Sequence, residues 1–274
     1  MANKWRHGKP DNPESAFNDR LELLRTDHVS PSITLAHQAI DLAEDWLEAG
    51  SHPKRLAREL SSMHPGLALI SNVARMLEEE NPSVLASLRM LQRSLERGNR
   101  RIAERLAELV APNPVVITLS NSATVLDALA HLGTRVVYLV DARPGVENDR
   151  MIEQLRSGLA HPEREVQVHL IEAATIGNIV PHIDCGVVGI DSISRSGAVL
   201  HRVGTLPLAL CCHYFKKPFY ALGHSLKQLD HELDELPQTN SALETRVFDL
   251  TPAELITCIT ERTGNTAQVA MGQG

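Results

Sequence analysis

Aromatic side chains are scarce. Four Phe, three Tyr and two Trp make up 3% of the 274 residues. The core must therefore come from Leu, Val, Ile and Ala, within an ordinary apolar share of 43%. Cysteine is also sparse, with Cys185, Cys211, Cys212 and Cys258 and no CxxC spacing. That excludes a disulfide framework. All four lie in apolar surroundings, which reads as reduced, buried, inert thiols of a cytoplasmic protein. The segment Leu210-Cys211-Cys212-His213 suggests zinc at first sight. Adjacent cysteines on a helix point in different directions and no second ligand pair exists, so no metal is expected. No cofactor is expected either.

Positive charge is in deficit, with 27 Lys and Arg against 34 Asp and Glu and a net charge of -7. This argues against nucleic acid as a direct partner, since phosphate backbones are held by clustered cations. Arg93, Arg97, Arg100, Arg101 and Arg105 form one local exception. They alternate with Glu96, Glu104 and Glu108, as on a solvated helix face. No apolar run reaches membrane-spanning length, and the opening MANKWRHGKPDNPESAF lacks the apolar stretch of a signal peptide.

What is present falls into two halves. Residues 1–14 are polar with two prolines and are expected to form a loose tail. From 15 to 111 the periodicity is helical. One helix opens at Ser30-Pro31 and ends at Gly50, and another runs from Pro65 to Glu80. The clearest starts at Pro82, where Val84, Leu88, Leu91, Leu95, Ile102, Leu106 and Leu109 form one apolar stripe of about seven turns. At Pro112-Asn113-Pro114 the pattern changes, and residues 112–274 alternate short β-branched runs with helical segments. Strands are expected near 115–119, 135–140, 166–171, 186–190 and 218–222. Helices are expected near 122–132, 148–160 and 205–215. The fold class is α/β: a helical N-terminal domain followed by a Rossmann-like parallel sheet domain.

Ligands of such sheets sit beyond the carboxyl ends of the strands. Thr118-Leu119-Ser120-Asn121-Ser122 follows the first strand, Asp141-Ala142-Arg143-Pro144-Gly145 the second and Asp191-Ser192 the fourth. Gly197, His201-Arg202 and Gly204-Thr205 lie just beyond. A helix starting near Ser122 presents free N–H groups that suit a phosphate. Ser120, Asn121, Ser122 and Thr124 add polar side chains, and Arg143 and Arg202 could bind an anion bidentately. Asp191 would repel phosphate; its role is to accept sugar hydroxyls or to move a proton. Plain helix capping by Ser120–Ser122, an ordinary turn at Arg143-Pro144 and a turn cap at Asp191 are the alternatives.

The stretch CGVVGIDSISRSGAVLHRVGTLPLALCCHYFKKPFYALG resembles the signature of the translation initiation factor 2B alpha, beta and delta subunits. Methylthioribose-1-phosphate and ribose-1,5-bisphosphate isomerases share that signature. The family writes Gly-Ala-Asp where this chain has Gly189-Ile190-Asp191, and Asn-Lys-x-Gly-Thr where it has His201-Arg202-Val203-Gly204-Thr205. Pro218-Phe219-Tyr220 matches directly. Asp141-Ala142-Arg143-Pro144, Phe248-Asp249-Leu250-Thr251-Pro252 and Met63-His64-Pro65 extend the resemblance over roughly residues 30 to 265. It implies two domains of the kinds above, a dimer and a role linked to translation initiation or to sugar-phosphate isomerisation.

One departure matters. The isomerases carry Thr-His-Cys-Asn after the first strand, and that Cys works with the later Asp as the acid/base pair. Here the positions hold Thr118, Leu119, Ser120 and Asn121. A Ser hydroxyl ionises far above neutrality, whereas a thiol starts near pKa ~8.5. The resulting expectation is a non-catalytic binder of a phosphorylated sugar or nucleotide. It would be held by Ser120, Asn121, Ser122, Thr124, Arg143, His201 and Arg202 and would act as a homodimer. The alternative is an aldose–ketose isomerase of a ribose-1-phosphate-type substrate, with Asp191 and Ser120 as the catalytic pair, or a histidine in place of Ser120.

Overall fold

The computed structural model describes residues 13–27, 30–64, 66–79, 81–141, 147–159, 166–233 and 247–262. The first half is helical throughout. α1 (Pro13–Thr26), α2 (Ser32–Glu48), α3 (Pro53–Met63), α4 (Ala68–Glu78) and α5 (Val84–Ala107) pack around Leu35, Ile40, Leu60, Leu69, Leu77 and Leu88. α1 begins at Pro13, inside the stretch read as a tail; the rest of that stretch lies outside the described residues. The helix expected from Pro65 is shorter, beginning at Ala68, and α3 precedes it. His52 caps α3, with Nδ1 accepting from the N–H of Lys54 at 3.3 Å, and Pro53 fits the first helical turn. The α5 stripe forms over most of its expected length, with Leu88, Leu91, Leu95, Ile102 and Leu106 buried, but Val84 is only partly buried and Leu109 lies beyond the helix end and is exposed.

The second half is built on a six-stranded, all-parallel sheet. Its strands are β1 (Val115–Leu119), β2 (Val136–Asp141), β3 (Gln167–Glu172), β4 (Cys185–Gly189), β7 (Phe219–Leu222) and β9 (Thr257–Ile259). Their order is β3-β2-β1-β4-β7-β9. The helices are α6 (Ala123–Leu132), α7 (Glu147–Gly158), the single turn α8 (Ile176–Ile179) and α9 (Thr205–Tyr214). Every interior strand is an apolar run rather than an alternation, because helices cover both faces.

The strand order fixes where a ligand fits. From β1 the chain moves outward through β2 and β3, then returns to place β4 on the other side of β1. The crevice between β1 and β4 is therefore the point where the connection reverses, the usual ligand position in such sheets.

A second sheet was not expected. β5 (Ser192–Ile193), β6 (Val199–Arg202) and β8 (Phe248–Thr251) pair antiparallel in the order β5-β6-β8. Its strands have two to four residues, too short to carry a periodicity. It matters because Leu200 and Phe248 join the core of the helical half. His201, between them in register with Asp249, is thereby held over the carboxyl end of β4.

Candidate functional site

The junction after β1 is tightly drawn. Ser120 takes a left-handed conformation with φ 64°, unusual for a residue with a side chain. Asn121 is buried, and Ser122 caps α6, its Oγ accepting from the N–H of Val125 at 3.4 Å. The first amides of α6, at Ala123 and Thr124, have no hydrogen-bond partner among the described residues. Those groups and the helix dipole give the crevice its positive end.

Across the crevice, Gly189 ends β4. A Cβ there would stand 2.8 Å from Ser122 Oγ and 3.1 Å from His201 Cε1. The glycine thus brings the α6 cap and the β6 histidine to the same spot. Asp191 follows two residues on. Its Oδ2 lies 3.1 Å from His201 Nδ1, and both side chains are buried. Burial alone would push the Asp191 carboxyl up. The His201 hydrogen bond and the charges of His201, Lys227 and Arg202 outweigh it and hold the pKa at about 2. Asp191 is therefore a carboxylate throughout the neutral range.

The helical half holds this aspartate in place. Ala68 N–H, the first of α4, bonds both the Asp191 carbonyl at 3.3 Å and Ser192 Oγ at 3.1 Å. Ser192 Oγ in turn donates to the Gly66 carbonyl at 2.7 Å. Lys227 Nζ is buried between the Ile190 carbonyl and Ser32 Oγ. Sequence reasoning missed Lys227, because a lysine in Leu226-Lys227-Gln228 carries no sign of being buried, and it placed Ser192 at the strand end without giving it a role.

Other expected site residues are distributed differently. Thr124 Oγ1 donates to Asn99 Oδ1 on α5 at 3.0 Å, so its hydroxyl faces the helical half. Arg202 lies with its guanidinium over the Phe248 ring, 5.5 Å from the centroid. Arg143 falls outside the described residues. The N-terminus of α9 is already filled, as Asp249 Oδ2 accepts from Gly204 N–H at 2.7 Å and Leu206 N–H at 3.1 Å. Of the α6 and α9 N-termini at this edge, the α6 end is the one without a carboxylate.

The cysteines stand away from the site. Cys185 starts β4, at the opposite end from Gly189, and burial with nearby Asp184 pushes its thiol up to about 12. Burial likewise lifts Cys212 and Cys258 to about 12. Cys211 is only half-buried, which corrects the expectation of four buried thiols. Among the described residues no group of three His, Cys, Asp or Glu could hold a metal ion. No helix among them is long and apolar enough to cross a membrane.

Comparison with known proteins agrees with this architecture. A Pyrococcus furiosus eIF-2B subunit 2-like protein is 26% identical over 230 residues, covering 79% of this chain and 80% of its own. A ribose 1,5-bisphosphate isomerase of Archaeoglobus fulgidus is 27% identical over 209 residues, covering 69% and 65%. The crystal structure of the Pyrococcus horikoshii translation initiation factor eIF-2B shares the fold. Its TM-score is 0.76 at 23% identity, over 91% of this chain and 96% of that one. The Initiation factor 2 subunit family matches residues 54–235, from α3 through the Asp191–His201 site to the turn after Lys227, and the chain belongs to that family.

Proposed function

We propose that the protein binds a phosphorylated sugar or nucleotide in the β1–β4 crevice and does not transform it. The phosphate sits against the first amides of α6, beside Ser120, Asn121 and Ser122. Arg202 adds positive charge nearby, and Asp191 and His201 meet the sugar hydroxyls. The observation that carries this reading is the contact that holds Asp191 as a carboxylate, its Oδ2 lying 3.1 Å from His201 Nδ1. A carboxyl held at about 2 by its neighbours is a poor proton carrier at neutral pH. No cysteine stands at the end of β1 to share the work. Ser120, which occupies that place, ionises far too high without a base.

Phosphorus NMR of ribose 1,5-bisphosphate with the purified protein tests it. Broadened resonances with no new species are expected. Unchanged resonances with this and with other phosphorylated riboses and nucleotides would end the binding reading.

A second reading rests on the Asp191–His201 pair. A histidine oriented by a carboxylate through Nδ1, with Nε2 open, has the arrangement of a general base. New phosphorus resonances that vanish in Asp191→Asn would make the protein an aldose–ketose isomerase using His201.

We also propose that the chain forms a homodimer through the sheet domain. Leu210 and Tyr214 on α9 are 51% and 79% exposed, and an apolar helix face in water favours a partner. Light scattering at micromolar concentration that finds only monomer would count against this.

A further inference from the structure

The five arginines of α5 do not all behave as a solvated, self-paired face. Arg100 pairs with Glu104 at 2.9 Å, and Arg105 donates to the carbonyl oxygens of Thr260 and Arg262. Arg93, Arg97 and Arg101 have no hydrogen bond or ion pair among the described residues. All three are exposed. They recur every fourth residue, so they stand about 6 Å apart along one side of the helix. With Glu261 and Met90, which is 70% exposed, they line a hollow of about 400 Å³. Like charges at this spacing repel, and a partner of opposite charge relieves that repulsion. Met90 adds apolar surface that a small anion leaves uncovered, which favours a polypeptide.

α7 carries the complement. Asp149 and Glu153 are exposed, also four residues apart, and have no ion pair among the described residues. They share a second hollow with Arg156 and the half-buried Ile152. These two faces cannot meet within one chain. α7, α6 and α5 lie side by side on the sheet, with α6 in the middle. α7 packs on β2 and β3, whereas α5 reaches β9 at the opposite edge.

We infer that the arginine face of α5 docks the acidic face of α7 on a second copy of the chain. With the two helices parallel, Asp149 meets Arg93 and Glu153 meets Arg97. Arg156, one turn further along, comes beside Glu261. The two surfaces differ, so the contact runs head to tail and adds copies beyond a dimer. It is separate from the α9 contact and from whatever the crevice binds.

Sedimentation velocity tests it. At tens of micromolar and about 0.05 M salt, the parent protein should form species larger than a dimer. They should disperse at about 0.5 M salt, where exposed charges are screened. Arg97→Glu and Glu153→Arg should each abolish them. The double variant, which pairs the charges in the reverse sense, should recover them. Both side chains are exposed, so every variant should melt like the parent. A parent with nothing above a dimer overturns the inference, as do large species that survive in both single variants. A double variant that stays dispersed overturns it too, because the arginines then answer to some other acid.

Discussion

Gly98 and His224 touch so closely that a Cβ on Gly98 would stand 2.3 Å from His224 Cε1 and 2.5 Å from its Nδ1. Gly98 lies in the middle of α5, and His224 follows β7, so this contact joins the helical half to the sheet. His224 Nε2 donates to Asn99 Oδ1 at 3.0 Å, the same oxygen that receives Thr124 Oγ1. Asn99 Nδ2 donates to Asp127 Oδ2 at 2.7 Å. One asparagine thus links α5, α6 and the segment after β7.

Gly98→Ala sets two effects against each other. Alanine favours a helix interior over glycine by about 1 kcal/mol. The new methyl collides with a fully buried ring pinned by its own hydrogen bond, and overpacking of that kind costs about 1–3 kcal/mol. The clash should win. Urea denaturation should give a lower midpoint, and a rise would mean that His224 has room to turn.

Stability should fall as the medium is acidified from neutrality. Burial first, then the charge of Lys227, lowers the His224 pKa to about 4 from an ordinary 6.5, against the opposing pull of Glu261. The unfolded chain then binds a proton on this ring between those values and the folded chain does not. Stability is thus greatest above pH 6.5 and is lost as pH falls towards 4, on the order of 3 kcal/mol. Asp191 adds a second loss lower down, between an ordinary 3.8 and about 2. Thermal melts in His224→Gln should be flatter between pH 7 and pH 5. A parent protein with equal stability at both would contradict the neutral buried ring.

Thiol reactivity should divide the cysteines. Cys185, Cys212 and Cys258 are buried with thiols at about 12, so almost none is thiolate at pH 8. Cys211, half-buried on α9, should be the first alkylated by iodoacetamide in native protein. Mass mapping that finds Cys185 labelled earlier would mean that β4 opens at its start.

Asp249→Asn should destabilise the protein by about 1 kcal/mol while leaving ligand affinity nearly unchanged. The carboxylate fills the N-terminus of α9 through two backbone amides, at Gly204 and Leu206, and an amide oxygen keeps the geometry but loses the charge. A large loss of affinity for ribose 5-phosphate would place Asp249 in the site rather than beneath it.

The sheet was legible because its strands are apolar runs bounded by turns, and five of the six appear near where β-branched residues cluster. β9 was missed: Thr257-Cys258-Ile259 is three residues long and offers no run. The α5 stripe was legible because it repeats over 24 residues. The Asp191–His201 pairing was not. Both residues were singled out for lying beyond the strands, but their contact depends on β6 folding back against β5 and β8. Pairing across strands of two to four residues leaves no periodic trace. α3 was not expected at all: its buried positions, Leu56, Ala57, Leu60 and Met63, are spread over only eleven residues among charged side chains.

Lys227 gives the most direct test of how the site is held. Burial lowers the pKa of its ammonium, and the nearby Asp191 charge opposes that fall. Its Nζ donates to the Ile190 carbonyl and Ser32 Oγ. Lys227→Met keeps much of the volume and removes the charge. Asp191 would keep His201 and Arg202 as partners, so the protein should fold with a loss of about 3 kcal/mol, at the lower end for a broken buried pair. The Asp191 carboxyl should rise from about 2 towards its ordinary value, because one of the charges opposing its burial is gone. Carboxyl carbon shifts followed against pH would report it directly. A carboxyl that still titrates near 2 would mean that His201 and Arg202 set the charge of Asp191, and that Lys227 serves only to fasten α2 to the end of β4.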